Sequence, residues 1–126
     1  MRKNPIITSK APQAIGPYSQ AVAVGDFLYA SGQIPLSAEG AMVPGGVPEQ
    51  TEQCLRNVRE ILSASGLTMK DVVKTTVFMT DLGQFAAMNE VYGKHFANPY
   101  PARSTVQVAA LPKGAAVEIE VVAVRP

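Results

Sequence analysis

The sequence has very few of the residues that build disulfides and metal sites. Of its 126 residues, one is cysteine (Cys54) and one is histidine (His95), so an internal disulfide is excluded. Zinc sites usually need about three or four Cys, His or carboxylate ligands at defined spacing, and no such pattern occurs. Gly45 and Gly46 are followed by Val-Pro, which opens no phosphate-binding loop. These absences predict a protein without a metal or a cofactor.

Long apolar runs and a dominant charge sign are also missing. No stretch approaches the roughly 20 apolar residues of a membrane span, and the N-terminal apolar run is too short for a signal peptide. Eleven basic residues against ten acidic residues give a net charge of +1. Such a chain has no strong field to attract nucleic acid or an anionic membrane. We therefore expect a cytoplasmic protein that binds neither.

The composition indicates one globular domain over residues 1–126. Hydrophobic residues make up 47% of the chain, with ten glycines and ten prolines, and no linker divides it. Apolar residues recur at helical spacing over about 48–65 and 82–97, which predicts two helices. Gly66 follows the first helix where a C-terminal cap belongs, and Asp81 can cap the second.

Five strands are predicted, and the first two form a hairpin. The strands cover about residues 19–24, 27–31, 72–80, 103–110 and 116–124. Gly25-Asp26 suits a type II′ turn, which would pair Val22 with Tyr29 and bring a polar cluster to the open end of the hairpin: Tyr18, Gln20, Ser31 and Gln33. This order predicts an α+β fold in which two helices cover one face of a mixed sheet.

The other face of that sheet has no predicted cover. The last strand is apolar on one side and partly apolar on the other, where Val122 and Val124 lie. A partly apolar open face favours association with another copy of the chain.

Several residues could carry chemistry, and each has a plainer interpretation. Arg103 starts a strand, where its guanidinium could hold a carboxylate or make an ordinary ion pair. Glu118 lies in an apolar strand and could act as a general acid or base, or simply face solvent. Tyr18 could bind a polar ligand or pack on the core. Gly32 could let a ligand approach the backbone or only end the strand.

Three further residues are most simply explained without chemistry. Asn89 is typical of a solvated helix position, and His95 of a helix end rather than a ligand or base. Cys54 lies on the apolar stripe of the first helix, so we expect a core residue rather than a nucleophile.

Five short motifs together resemble the RidA/YjgF family of reactive intermediate deaminases. They cover essentially the whole chain in the order typical of that family: 14–20 (AIGPYSQ), 30–35 (ASGQIP), 74–78 (KTTVF), 101–104 (PARS) and 117–120 (VEIE). The resemblance implies a chorismate-mutase-like α+β fold, a homotrimer and a ligand cleft between subunits. It also implies cofactor-free hydrolysis of 2-imino acids and their 2-enamino tautomers, such as 2-aminoacrylate and 2-aminocrotonate, to 2-oxo acids and ammonia.

The same resemblance implies roles for individual residues. Arg103 matches a carboxylate-clamping arginine, and Glu118 an acidic residue that positions water and relays protons. The matching residues of the cleft lining are Tyr18, Ser31, Gly32, Asn89 and Thr105. Thr105 is a departure, because the subfamily often has cysteine there; threonine supplies the same backbone N–H but no thiol.

Other functions remain compatible with these residues. A related deaminase acting on another amine, such as 2-aminomuconate, would use the same cleft. A non-enzymatic protein that binds 2-oxo acids through Arg103 would bind its ligand without turnover. An RNA-directed role is disfavoured by the near-neutral charge and the scattered lysines.

Overall fold

The computed structural model describes residues 2–126, which form six strands and two α-helices. The strands are β1 (Lys3–Ile6), β2 (Ala21–Val24), β3 (Phe27–Ala30), β4 (Val72–Met79), β5 (Ala102–Gln107) and β6 (Val117–Val124). The helices are α1 (Val47–Ala64) and α2 (Phe85–Tyr92).

The strands form one mixed sheet in the order β1-β2-β3-β6-β4-β5. All neighbours are antiparallel except β4 and β5, which are parallel and are joined through α2. The predicted α+β class is confirmed.

The β2–β3 hairpin has the predicted turn and register. Gly25 has a φ of 59°, and Asp26 is not among the residues with positive φ, as a type II′ turn requires. Val22 pairs with Tyr29 and Val24 with Phe27. The hairpin therefore brings Ser31 beside Gln20, and the Ser31 N–H donates to the Gln20 carbonyl oxygen at 2.9 Å.

Helix α1 matches its prediction to within one residue at each end. It starts with Pro48 in its first turn, and the Glu49 carboxylate accepts a hydrogen bond from the Gly46 N–H at 2.8 Å. Its buried stripe contains Cys54, as predicted, together with Leu55, Val58, Ile61 and Leu62. Gly66 adopts a left-handed φ of 74°, which lets the chain turn back after the helix.

Strand β2 begins at Ala21 rather than at residue 19, and three elements differ from the sequence prediction by more than two residues. Strand β1 was not predicted; it is an edge strand that depends on pairing with β2. Helix α2 is shorter than 82–97, because a separate 3-10 turn, Leu82–Gln84, precedes it and the chain turns at Gly93. Strand β5 ends at Gln107 rather than at residue 110, because β4, its one partner within residues 2–126, ends at Met79.

Both helices pack on one face of the sheet and leave the other face open. Alternate residues of β6 (Val117, Ile119, Val121 and Ala123) are buried beneath the helices. On the opposite face, Phe27 and Tyr29 are 46% and 47% exposed, and Val122 and Val124 are half-buried. No helix in residues 2–126 is long and apolar enough to cross a membrane.

Candidate active site

Two buried side-chain amides hold the loops around the larger candidate pocket. The Gln20 amide donates to the carbonyl oxygens of Thr8 (3.0 Å) and Pro12 (2.8 Å) and accepts from the Thr8 N–H (2.8 Å). The Asn57 amide donates to the carbonyl oxygens of Ile34 (3.2 Å) and Leu36 (2.9 Å). These bonds hold segment 8–12 against Gln20, which directly precedes β2, and segment 34–36 against α1.

The Glu118 pocket is a cavity of about 530 Å³ between these loops and β6. Four residues proposed from the sequence line it together: Tyr18, Ser31, Gly32 and Glu118. Gln20 and Gln33 also line it, so the polar cluster predicted at the hairpin mouth is confirmed as a group. The rest of the wall contains apolar side chains such as Ile15 and Ile34, and also the polar side chains of Gln13 and Lys113.

Glu118 lies directly against Gly32. Gln33 and Ile119 exchange two backbone hydrogen bonds, at 2.8 and 3.1 Å, which hold segment 31–33 alongside β6. A Cβ atom built on Gly32 would lie 2.8 Å from the Glu118 carboxyl carbon and closer still to its Oε2 atom. Gly32 therefore gives the carboxylate the space that it occupies.

The surroundings of Glu118 favour its protonated form. Burial raises the pKa of the Glu118 carboxyl group, and the negative charge of Glu120 raises it further. Carboxyl groups with raised pKa values are better matched to proton transfer near neutral pH.

The two hydroxyl groups of this pocket differ in exposure. The Ser31 hydroxyl donates to the Ser19 carbonyl oxygen at 2.6 Å, so its oxygen remains available to accept a hydrogen bond. Tyr18 is an exposed side chain at the rim, and its hydroxyl oxygen accepts a long hydrogen bond, 3.4 Å, from the Ile15 N–H.

Arg103 lines a second cavity of about 410 Å³, the Arg103 pocket, together with Asn89, Tyr92 and Tyr100. The Arg103 Nη1 atom donates to the Asn89 side-chain oxygen at 2.6 Å. The guanidinium carbon lies 4.7 Å from the centre of the Tyr92 ring and 5.3 Å from that of Phe85. Within residues 2–126, no carboxylate forms an ion pair with this guanidinium.

The two pockets lie on opposite faces of the sheet. Thr75 pairs with Arg103 and with Val121, so the Arg103 side chain is on the helix-covered face. Glu118 pairs with Phe78 on the open face. The residues proposed from the sequence are therefore divided between two places on one chain.

Thr105 lines neither pocket. It lies on the same face of β5 as Arg103, two residues further along. Its hydroxyl oxygen is buried and has no hydrogen-bond partner among residues 2–126.

The plainer interpretations of Cys54 and His95 agree with the structure. Cys54 is fully buried, and burial raises the pKa of its thiol, which makes it a poor nucleophile. The His95 Nε2 atom lies 2.8 Å from a Glu52 carboxylate oxygen, and its Nδ1 atom lies 3.3 Å from Arg59. Residues 2–126 contain no group of three His, Cys, Asp or Glu side chains that could hold a metal ion.

Sequence analysis missed the aromatic rings around Arg103. Phe85 and Tyr92 belong to the apolar pattern that predicts the second helix over 82–97, and packing in the core is only part of their environment. Their helical spacing with Asn89 was a usable signal. Residues 85, 89 and 92 share one side of the helix, so both rings are expected near the candidate site residue Asn89.

Comparison with known proteins identifies the family. A sequence model of the family described as Endoribonuclease L-PSP matches residues 8–125. The chain belongs to this family, also known as RidA/YjgF.

Similar RidA/YjgF proteins span nearly the same length as this chain. The RutC family protein y4sK of Sinorhizobium fredii is 54% identical over 94% of each chain. The human protein named 2-iminobutanoate/2-iminopropanoate deaminase is 51% identical over 95% of this chain and 88% of its own.

Solved structures show the same fold. Escherichia coli TdcF with bound serine has a TM-score of 0.91 and 47% identity, covering 98% of this chain and 99% of TdcF. RidA from the Antarctic bacterium Psychrobacter sp. has a TM-score of 0.92 and 48% identity, covering 96% of this chain and 98% of that one.

Proposed function

We propose that this RidA/YjgF protein is an imine deaminase that hydrolyses 2-imino acids, and 2-enamino acids through their imino tautomers, to 2-oxo acids and ammonia. Typical substrates would be 2-aminoacrylate and 2-aminocrotonate. Support comes from the goat, bovine and human relatives named 2-iminobutanoate/2-iminopropanoate deaminase, which are 51% to 53% identical over 95% of this chain.

The observation that carries the proposal is the Arg103 guanidinium, which forms no ion pair with a carboxylate of residues 2–126. Its fork is held by Asn89 on one nitrogen, while the remaining N–H groups can meet a carboxylate in a bidentate manner. An imino acid has its carboxylate next to the C=N carbon. Binding that carboxylate therefore fixes the position of the reacting carbon, which is a large part of catalysis when the substrate is already reactive.

Glu118 is the proposed proton carrier. It accepts a proton from water as the water oxygen bonds to the C=N carbon of the protonated imine and the π electron pair moves to nitrogen. Glu118 then returns this proton to the amino nitrogen. The hydroxyl group on the tetrahedral carbon next gives its proton to Glu118, and the C–N bond breaks as the ketone forms. The ammonia that leaves takes up the proton from Glu118.

The proposed site needs two copies of the chain. Arg103 and Glu118 lie on opposite faces of the sheet, so one copy does not present both to one small substrate. We propose a homotrimer in which the Arg103 pocket of one copy meets the Glu118 pocket of the next. The exposed Phe27 and Tyr29 on the open face favour such an assembly.

The test generates 2-aminoacrylate or 2-aminocrotonate in situ and traps free imine with semicarbazide. The wild-type protein should lower the yield of semicarbazone, and folded Arg103→Ala protein should not. If folded Arg103→Ala protein keeps saturable activity, the assignment is wrong. If wild type binds 2-oxo acids without accelerating hydrolysis, the protein is a binder rather than an enzyme.

A mixing experiment tests the shared site. Arg103→Ala and Glu118→Gln proteins should each be inactive alone. Unfolded and refolded together, they should regain part of the activity, because some interfaces then combine an intact Arg103 with an intact Glu118. If the site lies within one chain, the mixture stays inactive.

A further inference from the structure

The Arg103 guanidinium lies against two aromatic rings and forms no ion pair with an acidic side chain in the described part of the chain. Both ring centres, of Tyr92 and Phe85, are within the distance of about 6 Å at which a cation is attracted to a ring face. Tyr92 is the closer ring, at 4.7 Å. Attraction by a ring face restrains the plane of the cation and leaves its N–H groups free for an anion.

The Tyr92 ring is itself held in place. Its hydroxyl group lies 2.8 Å from the hydroxyl oxygen of Thr75. Thr75 is fully buried and is the residue on β4 that pairs with Arg103 on β5. Phe96 also packs against the ring, with 4.7 Å between the two ring centres. Tyr92 is consequently 5% exposed and has little room to rotate.

We propose that Tyr92 is a positioning residue for Arg103, and that its hydrogen bond to Thr75 sets the direction in which the guanidinium fork points. The proposal rests on the function proposed above, in which Arg103 binds the substrate carboxylate. Its physical basis is preorganisation: an arginine side chain that is ordered before the substrate arrives loses less entropy on binding.

Three substitutions separate the parts of this arrangement. Tyr92→Leu removes the ring, Tyr92→Phe keeps the ring and removes its hydroxyl group, and Thr75→Val removes the hydrogen-bond partner with little change in shape. Phe96→Leu is the matched control, because it removes a buried ring from the same cluster without removing a ring from Arg103.

A preorganising role predicts weaker binding, whereas the chemical step keeps nearly its wild-type rate once the carboxylate is bound to Arg103. Tyr92→Leu should raise both KM for the imine and Kd for 2-oxobutanoate about tenfold, the size expected for a partly desolvated cation–π contact, with kcat within about twofold of wild type. Tyr92→Phe and Thr75→Val should raise them less, by about two- to threefold, since the ring or its position is largely kept. Phe96→Leu should lower the melting temperature but raise KM no more than Tyr92→Phe does, because Tyr92 keeps its ring beside Arg103 and its hydrogen bond to Thr75.

The order of the arginine side chain gives a readout that does not depend on activity. The Nε–H resonance of Arg103, identified by its loss in Arg103→Lys, should show restricted motion by 15N relaxation in wild type and increased motion in Tyr92→Leu. Unchanged motion in Tyr92→Leu overturns the proposal, even if the wild type proves inactive on imines. Equal rises of KM in Tyr92→Leu and Phe96→Leu also overturn it, because they would report a general loss of packing.

Discussion

Replacing Gly32 with alanine should displace the Glu118 carboxylate without touching the Arg103 pocket. The new Cβ would lie 2.8 Å from the Glu118 carboxyl carbon and 3.1 Å from its Cγ, whereas ordinary contacts are 3.4–4 Å. The carboxyl carbon must therefore retreat by about 1 Å, a misplacement that can lower a rate by about 100-fold. We expect kcat for imine hydrolysis to fall by about that factor, with KM within about twofold of wild type.

The assay is the semicarbazide trap at several imine concentrations, with Gly46→Ala as the control. At Gly46 the added Cβ meets only Pro48 at 3.9 Å, and its φ of −102° suits alanine, so its activity should match wild type. A Gly32→Ala protein with wild-type kcat would show that the position of Glu118 does not limit the reaction. A rise in KM alone would instead indicate that Gly32 makes room for the ligand.

Two more predictions concern side chains near the proposed site. Glu120→Gln removes a negative charge that raises the pKa of Glu118. Because the mechanism needs the Glu118 carboxylate, activity is lost as the pH falls through the pKa of Glu118. A lower pKa should therefore move the acidic limb of the kcat/KM profile to lower pH. A limb that stays in place or moves to higher pH would contradict this cause. Thr105→Val removes a buried hydroxyl group that has no hydrogen-bond partner in residues 2–126. The free energy of unfolding, measured with urea, should stay equal or rise by about 1 kcal/mol. A marked decrease would show that a ligand or a second copy of the chain satisfies the hydroxyl group.

The fold was largely predictable because its central elements have strong periodic patterns. Helix α1 has an uninterrupted apolar stripe, and β6 alternates so regularly that the buried side of Val117 and Ile119 follows from the sequence. Strand β1 has no such pattern, since three of its four residues are exposed and its pairing with β2 is a tertiary contact.

The candidate site was predictable as a set of residues but not as an arrangement. The alternation in β6 indicates that Glu118 and Glu120 share the face opposite the buried residues. Strand β5 has no buried face, so its sequence does not show on which side of the sheet the Arg103 side chain lies. The division into two pockets depends on the pairing of β4 with β5 and β6, which is a long-range property. Tyr92 looked like a core residue because it is one: the same ring fills the core and faces the arginine.

The loops around the Glu118 pocket are fastened by Gln20 and Asn57 through backbone carbonyl and N–H groups. Every residue type has a backbone carbonyl group, so these attachments do not depend on which side chains the loops carry. Wall residues such as Ile15 and Ile34 can therefore be exchanged while the loops stay in place. This separation of anchoring from lining gives the scaffold a simple way to evolve, or to be engineered, toward substrates with side chains of different size and polarity.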